Sequence, residues 1–215
     1  NNEHETGVVY AVGANLSGKN FDNLNLQNAV FDKADLSNTS FKNANIEGAR
    51  FAFANLDNSN LLDRTDLHNV NLAGIDLSMK SLMGKDLSSA NLSNVDLSKH
   101  DLTGTNLSDT FLLRTNLSGM DLRSTILTGA DFRYANLSES KLPDSLLVNN
   151  NFDYAELKHI NFAGKDLSGS SFKQASIDGS DMQNTNLYEA DFIQVDFTKI
   201  KNKSLAGANL FRTSF

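Results

Sequence analysis

An apolar residue recurs at every fifth position along almost the whole chain. Leu, Ile, Phe or Met stands at each step of five over 16–61, 67–197 and 205–215. None of these forty central positions is polar, and Asn or Asp comes directly before 27 of them. Ala, Ser, Thr or Val stands two places before the centre in 29 of the forty. The chain is therefore one internal repeat of five residues, and its fold must be read from that period.

A five-residue period fits neither an amphipathic helix, whose period is about 3.6, nor a flat strand, whose period is 2. It suits a short extended segment followed by a turn. Asn, Asp, Gly and Ser recur at fixed offsets from the centre, and these residues tolerate the dihedral angles of tight turns. We therefore expect a chain that turns once in every repeat.

The phenylalanines indicate how many repeats close one coil. Most central Phe residues are spaced by multiples of ten, as at Phe21, Phe31, Phe41 and Phe51, and at Phe132, Phe152, Phe162, Phe172 and Phe192. A four-sided coil of twenty residues places them on two opposite walls, whereas a three-sided coil of fifteen scatters them. The spacing therefore favours four repeats per coil.

Several segments carry a recognisable motif. Residues 34–38, 90–94, 135–139 and 208–210 read ADLSN, ANLSN, ANLSE and ANL. They resemble the pentapeptide-repeat family over residues 14–215. The resemblance implies an all-β fold, a right-handed quadrilateral β-helix (solenoid) of about ten four-sided coils, with the central residue and the residue two before it facing inward. The expected core-lining residues include Leu36, Phe51, Leu92, Leu107, Phe132, Phe152, Phe172 and Phe192.

The sequence predicts one domain with an irregular start and two register shifts. Residues 1–13 lack the repeat, and we interpret them as an N-terminal cap strand that protects the open edge of the first coil. Residues 14–215 form the β-helix. One residue is inserted at 61–62, where we expect a bulge, and three are inserted at 198–204, where we expect a solvated loop or a basic contact loop.

The two ends of the chain suggest that it continues or self-associates. It begins with Asn rather than Met, so we expect a trimmed protein or a piece of a longer one. The repeat runs on to Phe215 without a terminal cap. This favours an end-to-end homodimer through the C-terminal coil, or a repeat domain within a larger effector protein.

Composition disfavours several function classes. No apolar run approaches the roughly 20 residues of a spanning helix, so we expect no membrane segment. The net charge of −7 disfavours direct nucleic-acid binding, which needs a basic surface. The absence of Cys rules out disulfides and thiol chemistry. We expect a cytoplasmic location, with a secreted effector domain as the alternative.

Catalytic chemistry finds little support in the sequence. The four histidines do not share a column, and no pair has the spacing of metal ligands on one element. Most Asp residues precede a centre, where a carboxylate accepts backbone hydrogen bonds. No glycine-rich phosphate loop is present, and a filled rod offers no deep pocket. We therefore expect no enzyme, no metal and no cofactor.

Large side chains at inward positions form the first candidate partner contact. Residues twenty apart stack in adjacent coils, and Lys80 and His100 occupy places that usually hold Ala or Ser. Lys85 breaks the same rule on the next wall. Such side chains are expected to bend out to solvent, bringing Lys80, Lys85, Lys99 and His100 together as an anion or partner contact. The alternative is a set of tolerated corner substitutions.

Two further columns are candidate contacts. Arg114, Tyr134 and Tyr154 fall on consecutive layers, where stacked rings with Arg over one face form either a binding stripe or a surface brace. Apolar residues replace the usual Asn or Asp, or lie close to such a position, and we expect them to gather into one exposed patch over three coils. The alternative is that they pack against their own wall. They are Phe111, Leu113, Ile126, Leu146 and Val148.

The sequence leaves two main classes of function open. The broader one is a non-catalytic protein-protein interaction or scaffold module with an unknown protein partner. The alternative, implied by the family resemblance, is a DNA-mimicking binder that inhibits or protects DNA gyrase or topoisomerase. An acidic column on one wall is compatible with it. That column contains Asp35, Asp76, Asp96, Glu156 and Asp196.

Overall fold

The computed structural model describes residues 7–144, 146–201, 205–212 and 214–215. Within these ranges the chain contains no α-helix, and its helical elements are two 3₁₀ helices, Leu61–Asp63 and Phe197–Lys199. Its extended segments pair through single parallel β-bridges rather than long strands. Asp35 lies between Asn15 and Asn55, each twenty residues away. Four repeats therefore make one coil.

Four walls result from this register, and we number them 1 to 4 along the chain. In the coil formed by residues 96–115, the central residues of walls 1 to 4 are Leu97, Leu102, Leu107 and Leu112, and all four are buried. The side chain two before each centre also points inward. This inward row holds small residues such as Ala90 and Ala130 on wall 4. Each wall thus presents two inward rows, one large and one small.

The turn between walls explains the other consensus residues. On wall 1, Asp35 Oδ1 accepts a hydrogen bond from Ser37 N at 3.0 Å. On wall 3, Ala49 N donates to Ile46 O at 2.9 Å, closing the turn after the centre. The residue two after the centre adopts left-handed φ, as at Asn38 (56°). Asn and Gly are frequent there because most L-residues resist that region.

The core is filled by central side chains stacked along the rod. Phe132, Phe152, Phe172 and Phe192 on wall 4 stack with centroid separations of 5.2, 4.9 and 4.5 Å. Each aromatic pair contributes about 0.5–1.5 kcal/mol beyond burial. The eight expected core residues are all buried, with exposures of 0% or 1%: Leu36, Phe51, Leu92, Leu107, Phe132, Phe152, Phe172 and Phe192.

The N-terminal phenylalanines occupy opposite walls, as their spacing predicts. Phe21 and Phe41 stack on wall 2 at 5.0 Å, and Phe31 and Phe51 stack on wall 4 at 5.4 Å. Between the walls, Phe31 and Phe41 meet edge to face at 6.3 Å. The rings therefore bridge the coil interior in both directions, along the rod and across it.

The pairing offset changes at two places along the chain. Leu61 and Leu62 are both buried within the first 3₁₀ helix, and Arg50 then pairs with Asn71, 21 residues away. Beyond the second shift the offset is 23, as between Asn186 and Asn209. Residues 202–204 of that shift lie outside the described residues. Each insertion is thus accommodated without ending the coil.

The start of the described chain pairs in the same way as the repeats. Tyr10 bridges Val30 on wall 4, and Ala11 N donates to Val30 O at 2.8 Å. The side chains of Val8 and Tyr10 are 54% and 77% exposed. Residues 1–6 of the expected cap strand lie outside the described residues. The part that is described continues the ladder of wall 4 by one repeat.

Candidate interaction surface

The corner between walls 1 and 2 differs from the other three. Its inward row on wall 2 holds Lys80, His100 and Met120 in successive coils, where small residues are usual, and overpacking of a core site costs stability. Six described residues that directly precede a centre form no β-bridge. Asn60, Leu146 and Asp196 adjoin irregular segments of the repeat, whereas Asp76, Ser81 and Asp101 flank this corner, the last two on wall 2. The coils therefore separate at this corner over several layers.

The separation opens a continuous groove, which we call the corner cleft. Its largest part, about 800 Å³, lies between residues 98–103 and 118–124. A second part of about 240 Å³ shares Lys99 and His100 with the first. A third part of about 480 Å³ shares Asp76 and Ser78 with the second. The expected filled rod thus carries a groove along one corner.

Lys80 and Lys85 do not bend into solvent as expected. Lys85 is 7% exposed, and its Nζ donates to the carbonyl oxygen of Arg64 at 2.7 Å. Burial lowers the pKa of this ammonium group. Lys80 Nζ lies 2.8 Å from Asp63 Oδ1 and 3.4 Å from Ser59 O. Both ammonium groups therefore donate hydrogen bonds to the interrupted coil around Leu61–Asp63, because that coil supplies oxygen acceptors beneath them.

The predicted cationic cluster thus divides into two parts. Lys80 and Lys85 bind the coil below, whereas Lys99 and His100 line the corner cleft. The ammonium group of Lys85 is buried and hydrogen-bonded, so it is not available to a partner. Lys99 and His100 keep their place as candidate contacts.

A third interruption, at Pro143, was not anticipated from the sequence. Lys165 Nζ donates to Pro143 O at 3.0 Å and to Asp144 Oδ1 at 2.9 Å, with its side chain only 11% exposed. Pro143 stands one place after a centre, where other repeats use an amide N–H to close the turn, and Pro has no such donor. The sequence signal for this interruption was that Pro143 is the only Pro in the sequence.

The charged residues of the corner cleft are mainly carboxylates. Hydrogen bonds from Ser78 and Ser98 lower the pKa values of Asp76 and Asp96. Asp121 is held by Arg123, whose Nε lies 2.9 Å from Oδ1, and this contact lowers the pKa of the carboxyl group. These carboxylates are therefore ionised at neutral pH.

The aromatic column forms a ladder in the turn that follows wall 4. The rings of Tyr134 and Tyr154 are nearly parallel, at 4°, with centroids 4.7 Å apart. The guanidinium carbon of Arg114 lies 5.4 Å from the centroid of Tyr134. Both tyrosines are about half exposed. The geometry fits both a brace and a binding stripe, so the contact role stays a prediction.

The apolar residues lie on two adjacent walls. Phe111 and Leu113 belong to wall 4, whereas Ile126, Leu146 and Val148 belong to wall 3. Phe111, Ile126 and Leu146 are 48%, 49% and 58% exposed, and the other two are half-buried. Phe111, Ile126 and Leu146 face outward from the middle of their walls, and Leu113 and Val148 lie in the turns that follow, so the set is spread over two adjacent walls and three coils rather than one flat face.

The described residues bring together no group of three or more His, Cys, Asp or Glu side chains that fits a metal ion. No helix of the described chain is long and apolar enough to cross a membrane.

Comparison with known proteins gives a consistent family. The model for pentapeptide repeats matches in eight copies between residues 11 and 201. One similar solved structure is HetL, a pentapeptide repeat protein involved in heterocyst differentiation regulation from the cyanobacterium Nostoc sp. strain PCC 7120. It is 23% identical, with 94% of this chain and 87% of HetL covered and a TM-score of 0.35.

Two further structures are similar at comparable levels. A pentapeptide repeat protein of the Arabidopsis thaliana thylakoid lumen is 27% identical, covering 48% of this chain and 69% of that protein, with a TM-score of 0.28. QnrB1, a plasmid-mediated fluoroquinolone resistance protein, is 18% identical, covering 94% and 91%, with a TM-score of 0.31. Comparison with curated protein sequences found no match. Because the family model matches most of its length, this chain belongs to the pentapeptide-repeat family.

Proposed function

We propose that this chain is a non-catalytic protein-protein interaction or scaffold module. In this proposal a right-handed β-helix of about ten four-sided coils presents fixed rows of side chains to a protein partner. Because one fold hosts many functions, the proposal rests on the surface. The observation that carries it is the exposure of Phe111, Ile126 and Leu146 where most repeats place Asn or Asp.

The exposed apolar row has the character of an interface. Large apolar side chains that are half exposed on neighbouring coils favour an interaction site, because contiguous exposed apolar surface on soluble proteins commonly marks one. The ladder of Arg114, Tyr134 and Tyr154 lies in the turn that follows wall 4, in the same coils as the apolar residues. Aromatic and Arg side chains often dominate binding energy at interfaces. The two features together offer apolar contact area beside rigid aromatic anchors.

The test replaces the apolar residues by the residue that the repeat itself prefers. The variant Phe111→Asn/Ile126→Asn/Leu146→Asn introduces the usual turn acceptor at each position and should remain folded, as checked by circular dichroism. The matched control, Asn116→Asp/Asn136→Asp/Ser176→Asn, changes the same repeat position on wall 1. Both variants and the parent are used to select binders from a displayed library of protein fragments.

We expect the parent and the wall 1 control to select the same binders, and we expect the apolar-row variant not to bind them. Such binders define a partner for walls 3 and 4. Equal recovery by all three proteins, or no reproducible binder for the parent, would count against the proposal.

DNA mimicry is the second candidate, and the acidic column of wall 1 favours it. Hydrogen bonds from the amide and hydroxyl groups two residues later lower the pKa values of Asp35, Asp76, Asp96 and Asp196. The column therefore stays charged at neutral pH, and such a field would orient association with a basic DNA-binding surface.

A gyrase supercoiling assay separates this candidate from the scaffold. Inhibition by the parent, lost in the Asp35→Asn/Asp76→Asn/Asp96→Asn variant, would support mimicry. Undiminished supercoiling at micromolar protein would remove it. Asn keeps the turn acceptor, so the variant changes charge with little change in the fold.

A further inference from the structure

We propose that the corner cleft binds a basic, extended segment of a protein partner, whose Lys or Arg side chains enter between the separated coils. This inference rests on the proposed interaction function and adds the surface and the chemistry of the partner. Three observations support it. The cleft exposes backbone carbonyl oxygens, Lys and Arg side chains bind such oxygens elsewhere in the chain, and the unpaired charges along the groove are mainly negative.

The cleft leaves main-chain oxygens without their usual donors. On the intact wall 3, Ile126 N donates to Thr105 O at 3.2 Å and Leu107 N donates to Ile126 O at 2.9 Å. The equivalent acceptors on wall 2 are the carbonyl oxygens of His100 and Asp121. No backbone amide of the described residues donates to either oxygen. The separation of the coils therefore creates a row of open acceptors.

The chain fills comparable openings with its own cations. Arg64 Nη1 donates to Phe41 O at 3.2 Å and to Ala44 O at 3.0 Å. Lys85 and Lys165 each donate to a carbonyl oxygen of the interrupted coil beneath them. The backbone of this rod thus binds cationic side chains at two interruptions, Leu61–Asp63 and Pro143.

The corner cleft has the acceptors without such an occupant. No Lys or Arg of the described residues donates to the carbonyl oxygen of His100 or Asp121. Arg123 lies in the cleft, but its guanidinium pairs with the carboxylate of Asp121 instead. A cation supplied by a partner would therefore find backbone carbonyl acceptors like those that Lys85 and Lys165 bind within the chain.

Charge along the groove also favours a basic occupant. Of its cations, Lys80 is paired with Asp63 and Arg123 with Asp121, which leaves Lys99. Four carboxylates lining the groove form no ion pair among the described residues: Asp57, Asp76, Asp96 and Asp101. The unpaired charges are therefore predominantly negative, and complementary charge steers and orients association.

The length of the groove fits a short extended segment. It runs from the coil of Asn55 to that of Asp121, which is three coil steps. At about 4.8 Å per layer this amounts to about 14 Å, the length of about four extended residues. The side chains of an extended segment alternate in direction, so a Lys at every second position places successive cations on one side.

The test measures binding of a fluorescein-labelled peptide of alternating Lys and Gly, with a Glu and Gly peptide as the charge control. The decisive variant is His100→Ala/Met120→Ala, which restores small inward residues, closes the corner and keeps every carboxylate. Its matched control is Ser140→Ala/Ile160→Ala, in the same inward row outside the cleft. A third variant, Asp76→Asn/Asp96→Asn/Asp101→Asn, removes charge and keeps the turns.

We expect fluorescence anisotropy to show preference for the Lys peptide, with at least tenfold weaker binding to the closed-corner and charge variants. The control variant should bind like the parent. Equal binding of the Lys and Glu peptides, or parent-like binding to the charge variant, would overturn the inference. Parent-like binding to the closed-corner variant would also overturn it, once amide exchange at Leu102 shows that the corner has closed.

Failure of this inference is distinguishable from failure of the proposed function. If the Lys peptide does not bind, while the apolar-row variant still loses its library binders, only the cleft proposal falls. If neither surface recovers a binder, both fall.

Discussion

Lys85 donates a hydrogen bond from Nζ to the carbonyl oxygen of Arg64, 21 residues earlier and one coil below, at 2.7 Å. Lys165 repeats this relationship with Pro143. In both cases the lower coil is interrupted, and an inward lysine of the next coil supplies the missing donor. A position that the repeat normally gives to a small residue thus serves to repair the backbone.

The lysine contacts should be measurable as stability. Lys85→Met or Lys165→Met keeps most of the stem and removes the charged donor, leaving a carbonyl oxygen without its partner. Hydrogen bonds to charged groups contribute about 1.5–3 kcal/mol, and we expect each variant to lose a value in that range. Lys19→Met is the control, because Lys19 holds the same repeat position and is exposed. Urea unfolding followed by circular dichroism compares them, and equal stability of all three variants would refute the repair role.

The separated corner should exchange amide hydrogens faster than the intact walls. Leu107 N donates to Ile126 O at 2.9 Å, whereas the amide of Leu102, one wall earlier, has no backbone acceptor among the described residues. Both side chains are buried. We expect the amide of Leu102 to exchange at least tenfold faster by NMR. Similar protection of the two amides would show that the corner is closed in solution.

Acid should weaken the turns that contain Asp. The amide and hydroxyl of Ser37 lower the pKa of Asp35, so the folded state binds its proton less readily than the unfolded state. The stabilisation is present above the ordinary pKa of 3.8 and is lost as pH falls through the lowered value. Asp35→Asn should therefore flatten the fall in melting temperature below about pH 4. A pH profile identical to the parent would contradict this account.

Two glycines with left-handed φ should differ in their tolerance of Ala. At Gly119 (68°) an added Cβ meets nothing within 4 Å, whereas at Gly129 (72°) it would lie 2.1 Å from Asp109 Oδ1. Left-handed backbone costs about 1–2 kcal/mol for a residue with a Cβ, so Gly119→Ala should lose about that much. Gly129→Ala should lose more, because the Asp109 side chain must also move. A smaller loss at Gly129 in urea unfolding would mean that the carboxylate lies elsewhere.

The pairing register was predictable from the period and the Phe spacing, and the core from the inward positions that the family resemblance implies. Given those inward positions, the burial of Leu36 and Phe51, and the placing of Phe31 and Phe41 on opposite walls, depend only on counting in fives and twenties. The parallel rings of Tyr134 and Tyr154 follow from the same count. These features are local consequences of one repeated conformation.

The corner cleft and the lysine repairs needed the structure. Sequence spacing shows that Lys85 is too large for its place, but it does not show that the coil beneath offers a carbonyl oxygen. The pairing partner of Lys85 depends on how the insertion at Leu61–Asp63 is absorbed. Sequence spacing likewise shows that His100 is too large for its place, but the missing bridges of Ser81 and Asp101 become visible only when successive coils are stacked.

The crowding of Gly129 by Asp109 recurs where Asn28 lies beneath Gly48 and Asn149 beneath Gly169. In each pair the lower side chain leans towards the C-terminal end and covers the backbone above it. The surface is therefore directional: these side chains overlap the coil on their C-terminal side. The two directions along the rod differ even where the sequence repeats. A partner that fits the rows in one direction along the rod would meet a differently shaped surface if it bound in the reverse direction.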